Sequence, residues 1–398
     1  MISRNILFKN KLNSVKIKIP KKYKKTFSEL REEYLNNKIP LLQSFEKNYK
    51  INFNKKNIKK IKKESSFNII GMGGSTLGSK AIYSFLSNKI KKKFYFFDSL
   101  EEKKISFLKK KKQNNIIISK SGNTLETIVN FNLILKNCRS NSNIFITESK
   151  SSTLRELAKK FRDEIIEHKN FIGGRYSVMS EVGMLPAYLM GLKIEKFKKL
   201  NNLILNKNFI NCLISNVFSI HKLMIKKKNN CVILNFDPDM HDFCLWYQQL
   251  IAESLGKKGK GFLPIISSVP KDHHSLLQYY LDGPKNYFYT FFSTKHFKNF
   301  TLKDKSLLGT FDYLEKKSLE KIINTQKEAN ENIFLKKKIP FRSFYISKKS
   351  EDELGILFTF FVLEAILLSR LLNINPFDQP SVELLKRNTK KILLSTKL

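Results

Sequence analysis

FNIIGMGGSTLGSK, residues 67–80, carries an apolar run straight into a glycine-rich turn. Branched and aromatic residues ahead of such a turn read as a strand, and the residues beyond Gly74 open a helix. Glycines let the backbone approach an anion closely, Ser75 adds a hydroxyl, and free N–H groups at the helix start attract negative charge. The spelling excludes two nucleotide signatures. A P-loop needs lysine directly after its second glycine, whereas Ser79 and Lys80 follow Gly78 in the reverse order. The dinucleotide fingerprint would need a third glycine at Thr76. An ordinary strand-to-helix turn and a phosphate cradle both remain open on these residues alone.

Outward from that turn the chain alternates. Strands are expected at Phe67–Gly71, Phe94–Asp98, Asn115–Lys120 and Asn143–Thr147, with helices over 76–89, 101–111, 124–137 and 152–162. This order predicts a parallel sheet covered on both faces. A further helix follows over 181–192, then a polar link over 193–208. The pattern restarts with a helix over 209–226 and strands at Cys231–Phe236, Gly261–Ser267, Tyr287–Ser293 and Ser343–Ile346. Helices over 239–255, 273–281, 313–331 and 350–372 complete a second α/β unit. Residues 1–65 read as a lysine-rich leader with a helix near Lys25–Asn36. The expected domains are therefore 1–65, 66–195, 196–372 and a terminal helix within 373–398.

The chain has 398 residues, a formal charge of +40 and 41% hydrophobic residues, enough for real cores. Such charge suggests nucleic acid, but only nine of the 74 basic residues are arginine. The lysines accompany abundant Ile, Asn and Phe, a compositional bias, and runs such as Lys91–Lys93 and Lys226–Lys228 sit at element ends. No nucleic-acid partner is expected, though the charge helps draw in an anionic substrate. Cys138, Cys212, Cys231 and Cys244 have no paired spacing, so neither a zinc site nor a disulfide framework is indicated, and a cytoplasmic protein with reduced thiols is expected. The run 354–372 is long enough to mimic a membrane span, but Glu364 and Arg370 interrupt it; a core or interface helix is expected, and no membrane partner.

Several polar stretches carry possible chemistry. SKSGNTLET, residues 119–127, places Ser119, Ser121 and Thr124 after the next strand, suited to hold a phosphomonoester or simply to cap a helix. GGRYS, residues 173–177, presents Arg175 behind two glycines, either toward a developing oxyanion or in a structural ion pair. Glu253 falls in the last turn of a helix, where the negative helix end raises a carboxylate's pKa; it is a candidate general base or a surface glutamate. His273 and His274 are adjacent, which argues against a two-histidine metal site and for one imidazole moving protons. NPFDQPSVELLKR, residues 375–387, starts a terminal helix with Gln379 and Lys386 near one face.

In this order, GMGGSTLG, SKSGNTLET, GGRYSVMSEVG, AESLGKKGKG with DHHSLLQYYLDG, and NPFDQPSVELLK resemble the phosphoglucose isomerase family from about Phe67 to Lys386. The resemblance implies an α/β fold of two αβα sandwich domains of the sugar-isomerase type, with mostly parallel sheets. It implies aldose–ketose isomerisation of glucose 6-phosphate and fructose 6-phosphate, with no cofactor or metal. Glu253 matches the proton-shuttling base and Arg175 the arginine beside the enediolate. His274 matches the ring-opening histidine, supplied in this family by the second subunit of a homodimer, and Glu126 the carboxylate that orients it. Gln379 and Lys386 match substrate contacts of the C-terminal helix. Gly74, Ser75, Ser119, Lys120, Ser121, Thr124 and Gly174 fall in the matched substrate-binding stretches. Departures are Ser381, where glycine or alanine is usual, and Glu181, an unusual polar choice. Two other readings share these residues: an isomerase that also takes mannose 6-phosphate, and a sugar-phosphate regulator without catalysis.

Overall fold

A computed structural model describes residues 1–13, 18–107, 112–137, 139–295, 300–302 and 309–395. The first sheet is built from β2 (Ser66–Gly71), β3 (Lys93–Phe97), β4 (Lys112–Ile118), β5 (Arg139–Thr147) and β6 (Glu164–Glu167). All its neighbours are parallel, in the order β3–β2–β4–β5–β6. Parallel neighbours need crossovers, supplied by α3 (Leu77–Phe85), α4 (Glu102–Phe107), α5 (Leu125–Asn137) and α6 (Thr153–Phe161). Phe67, Ile69, Ile116 and Ile144 bury one face while Ile70, Ile117 and Phe145 bury the other, which is why these strands read as unbroken apolar runs. Residues 108–111, the end of the helix expected over 101–111, and Cys138 lie outside the described residues.

The second sheet runs β1–β10–β9–β7–β8. Strands β7 (Asn230–Asn235), β8 (Leu263–Ser268), β9 (Tyr287–Thr294) and β10 (Phe341–Ile346) are parallel, and β1 (Ile6–Lys11) closes the edge antiparallel to β10. Its helices are α9 (Lys207–Ile225), α10 (His241–Leu255), α11 (Leu277–Asp282), α12 (Leu319–Lys336) and α13 (Glu351–Leu371). The remaining helices are α1 (Lys21–Leu35), α2 (Lys55–Ile61), α7 (Glu181–Leu189), α8 (Leu200–Leu203) and α14 (Val382–Ser395).

Three expectations change. The segment 1–65 is not merely helical: Ile6 turns into the core while Leu7, Lys9 and Lys11 face out, an edge-strand alternation hidden by lysine. The link over 193–208 is not simply polar; Ile194, Phe197, Leu200 and Leu203 are buried at a three-residue spacing that suits its tight helical turns. The helix expected from 313 starts at Leu319, because Ser318 caps it by accepting from Lys321 N at 3.1 Å. The run 354–372 forms α13, buried against α1, α9 and α10. Its two interrupting charges are both paired: Glu364 with Arg342, Asn216 and Tyr247, and Arg370 with Glu33 at 2.7 Å.

Candidate active site

In the first sheet, β3 lies on one side of β2 while β4, β5 and β6 lie on the other. The chain therefore reverses direction between β2 and β4, and the loops leaving their carboxyl ends open a crevice there. Gly71 and Ile118 are register partners at that edge, so the two turns singled out in the sequence leave side by side.

The first turn passes through Gly73, at φ +54°, into Ser75 and then α3. Ser75 is half-buried and its hydroxyl engages no described protein group. The second turn is tied internally. Ser119 and Thr124 hydroxyls meet at 2.8 Å, and Gly122, at φ +67°, donates its N–H to Ser119 Oγ at 3.2 Å. Asn123 Oδ1 accepts from Thr153 N at 3.0 Å, linking this turn to α6. Ser121 is exposed, accepting from Asn123 N at 3.3 Å. Lys120 turns its ammonium to Asn170 O at 2.7 Å and Glu148 at 3.5 Å, so it braces the turn and presents backbone to the crevice. Two helix starts, α3 and α5, with hydroxyls before them make a place for a dianion.

A second group of residues adjoins the first turn. Gly74 lies so close to Gly174 that a Cβ on Gly74 would meet the carbonyl carbon of Gly174 at 2.2 Å. Ser177 Oγ lies 2.7 Å from Gly174 O and 3.3 Å from Gly74 O, bridging the two turns. A Cβ on Gly73 would meet Gln249 Nε2 at 2.8 Å, so α10 also approaches the same turn. Gly73 and Gly74 are thus spacing elements, permitting contact of the first turn with the Gly174 turn and with α10.

Arg175, 1% exposed, is the centre of this junction. Its Nε donates to Ser254 Oγ at 2.9 Å. One terminal nitrogen donates to Glu253 Oε2 at 3.0 Å and to Gln379 Oε1 at 2.6 Å. The other donates to Asp378 O at 3.0 Å and to Pro376 O. All five guanidinium N–H groups are therefore spent on the protein. Glu253 sits in the last turn of α10, as expected, 30% exposed, with its other oxygen accepting from Gln249 Nε2 at 2.8 Å. Tyr176, fully buried, donates to Pro376 O at 3.0 Å, and burial raises its phenol pKa. Asp378 is held below the usual carboxylate range by its hydrogen bond to Lys257. A carboxylate and a guanidinium in contact at the rim of a crevice can abstract a proton beside a carbonyl and stabilise the oxyanion that results.

The remaining predicted residues lie elsewhere. α10 runs back along the second sheet, and Gln248 Nε2 meets Pro264 O at 2.7 Å near the amino end of β8. His274 follows the carboxyl end of β8, in the turn Lys271–His274, and is exposed. Six residues of strand, about 20 Å, separate those ends, so one subunit does not bring His274 to Glu253. Burial lowers the pKa of the neighbouring His273. Glu126 stands half-buried in the first turn of α5 with no hydrogen-bond or ion-pair partner among the described residues. Lys386 is carried on α14, which is exposed along almost all of its described length. Among the described residues no group of three or more His, Cys, Asp or Glu is placed to hold a metal ion.

Sequence reasoning missed Gln249, Ser254 and Lys257. Gln249 precedes Glu253 by four residues and so shares its helix face, a signal that was available. Lys257, which donates to Asp378 Oδ1 at 2.7 Å and to Asn375 O, was masked by the lysines around it. The corresponding crevice of the second sheet, between β7 and β9, is closed. Lys349 pairs with Asp237 at 2.6 Å and Asp239 at 2.7 Å, and the Thr294 hydroxyl donates to Asp237.

A family model described as phosphoglucose isomerase matches residues 34–262. A probable glucose-6-phosphate isomerase of Methanococcus maripaludis is 31% identical over 93% of this chain and 87% of its own length. The glucose-6-phosphate isomerase of Methanocaldococcus jannaschii is 33% identical over 79% of this chain and 81% of its own. Among solved structures, a hypothetical protein of Thermus thermophilus superposes with a TM-score of 0.79 at 21% identity, covering 98% of this chain and 99% of that one. A glucose-6-phosphate isomerase of Chlamydia trachomatis gives 0.68 at 18% identity, covering 85% and 71%. These two likenesses establish the shared fold.

Proposed function

The chain belongs to the phosphoglucose isomerase family, and from that premise we propose how its own residues interconvert glucose 6-phosphate and fructose 6-phosphate. The hydroxyls of Ser75, Ser119, Ser121 and Thr124 hold the phosphate at the helix starts of α3 and α5. Binding there, away from the reacting carbons, positions the open chain for the proton transfer. Glu253 takes the proton from C2 of the aldose; the electron pair of that C–H bond forms the C1–C2 double bond, and the carbonyl pair moves to the C1 oxygen. The hydroxyl proton on O2 passes to O1, and a lone pair of O2 forms the C2 carbonyl. The electron pair of the C1–C2 double bond takes the proton back from Glu253 at C1, giving the ketose.

The observation that carries this reading is the 3.0 Å contact between Arg175 and Glu253. When the carboxylate takes the proton it becomes neutral and its claim on the guanidinium weakens. The negative charge moves at that moment to the substrate oxygen, beside the same arginine. The site keeps one anion against one cation throughout, so little reorganisation is needed. Gln379, on the same nitrogen of Arg175, is the natural contact for a sugar hydroxyl.

Ring opening requires a further acid and base, for which this reading takes His274 of a second copy, oriented by Glu126, together with Lys386. The exposed Leu276 and Tyr279 beside His274 suit such an interface, and we place the assembly as a cytoplasmic homodimer. The deciding experiment is exchange of the C2 proton of glucose 6-phosphate with deuterium oxide. Glu253→Gln is expected to bind fructose 6-phosphate normally while exchange and turnover fall by about 10²-fold or more. Exchange at the unaltered rate would remove Glu253 from the role of base.

A further inference from the structure

The polypeptide from Leu372 to Gln379 lies as a strap across the Arg175 junction, and both sides of it are gripped. Arg175 holds Pro376 O and Asp378 O from beneath, and Tyr176 OH adds a second donor to Pro376 O at 3.0 Å. From the other side, Lys257 donates to Asn375 O and to Asp378 Oδ1 at 2.7 Å, while Lys260 donates to Leu372 O at 2.8 Å. Inside the strap Asn375 Oδ1 accepts from Phe377 N at 2.9 Å, and the Phe377 ring lies 5.8 Å from that of Tyr176. The Lys257 side chain is only 13% exposed, unlike a solvated surface lysine. It stands two residues beyond the end of α10, the helix that carries Glu253. At the end of the strap Gln379 reaches into the junction, its Oε1 2.6 Å from Arg175.

We propose that Lys257 is a positioning residue for catalysis: by clamping Asn375 and Asp378 it fixes the strap so that Gln379 is held on Arg175 beside the reacting carbons. The clamp acts through Gln379 and so rests on the reading of that residue as a substrate contact. It joins the strap to the catalytic helix within one subunit, without calling on a second copy. Asn375 offers a carbonyl and Asp378 a carboxylate, and an ammonium with three donors can serve both at once. A neutral side chain of similar length keeps the packing and loses both bonds.

The phosphate turns lie on other elements, so loss of the clamp should spare binding and impair chemistry. Lys257→Met is expected to lower kcat about tenfold with KM within about twofold, since a displacement of 1 Å costs up to about 10²-fold. Lys257→Arg, which keeps a cation and donors, should recover much of the loss. The decisive measurement is a double-mutant cycle with Gln379→Ala, with folded fraction checked by circular dichroism. If Lys257 acts through Gln379, Lys257→Met costs nothing further once Gln379 is absent. Additive losses, or Lys257→Met at the unaltered kcat, would overturn the clamp while leaving Gln379 in place. Full activity in Gln379→Ala alone would instead remove Gln379 from the site, and the clamp's purpose with it.

Discussion

The glycine at position 74 offers a test that sequence alone does not suggest. An alanine there would place its Cβ at 2.2 Å from Gly174 C, 2.3 Å from Gly174 O and 2.7 Å from Arg175 N. Ordinary contact begins at 3.4 Å, and all three atoms are backbone, so the two turns must part by more than 1 Å. The displaced segment carries Arg175, which holds Glu253 at 3.0 Å and Gln379 at 2.6 Å. A shift of 1 Å in catalytic geometry costs on the order of 10²-fold in rate. The overpacking itself costs about 1–3 kcal/mol of stability. Gly173 is the matched control: its φ is −70°, and a Cβ there meets only Tyr176 Cδ2, at 3.5 Å. Initial rates of glucose 6-phosphate formation from fructose 6-phosphate, read through a coupled dehydrogenase, should fall about 10²-fold for Gly74→Ala. Gly173→Ala should stay within about threefold, since it demands no backbone shift. Equal rates for the two variants would refute the claim that contact between these turns sets the catalytic geometry.

Other outcomes follow from the same geometry. If the site is shared, Glu253→Gln and His274→Ala subunits, each inactive alone, should regain about a quarter of wild-type activity when unfolded and refolded together, because each mixed dimer assembles one intact site; no recovery would argue that His274 serves no neighbouring Glu253. His168 is buried, and desolvation pushes its imidazole pKa down to about 4. The folded chain thus refuses a proton that the unfolded chain accepts near pH 6.5, so this stability is present above 6.5 and lost as pH falls toward 4. The loss is on the order of 3 kcal/mol, and His168→Asn should flatten that part of a urea-unfolding series taken from pH 7 to pH 4. An unchanged slope would show that other groups govern the acid limb.

The parts of the fold that were legible in sequence are those where one signal dominates. The runs ending in Gly71 and Ile118 are apolar on both faces and are followed by glycine and hydroxyl residues, so strand, turn and helix start all announce themselves. Glu253 was legible because a glutamate against the end of its helix is out of place. β1 was not, because only Ile6, Phe8 and Asn10 alternate inward among lysines, and its partner lies in a distant part of the chain. β6 has just four residues, two of them glutamate. Lys257 is chemically indistinguishable in sequence from Lys258, and only the returning strap sets it apart. The histidine pair could be singled out by residue type, but the choice of His274 and the role of Lys386 rested on the resemblance.

The antiparallel edge strand has a consequence for how the chain is made. Ile6 is synthesised long before its register partner Ile346, which follows 340 residues later. Throughout that interval the amino-terminal segment must wait unpaired while an entire sandwich forms behind it. Its outward lysines, Lys9 and Lys11, are then gatekeepers for the nascent polypeptide as much as edge protection for the finished one. The second sheet is completed only when β1 meets the distant β10, so an excised segment holding β7 to β10 alone would emerge with a raw border seeking a mate.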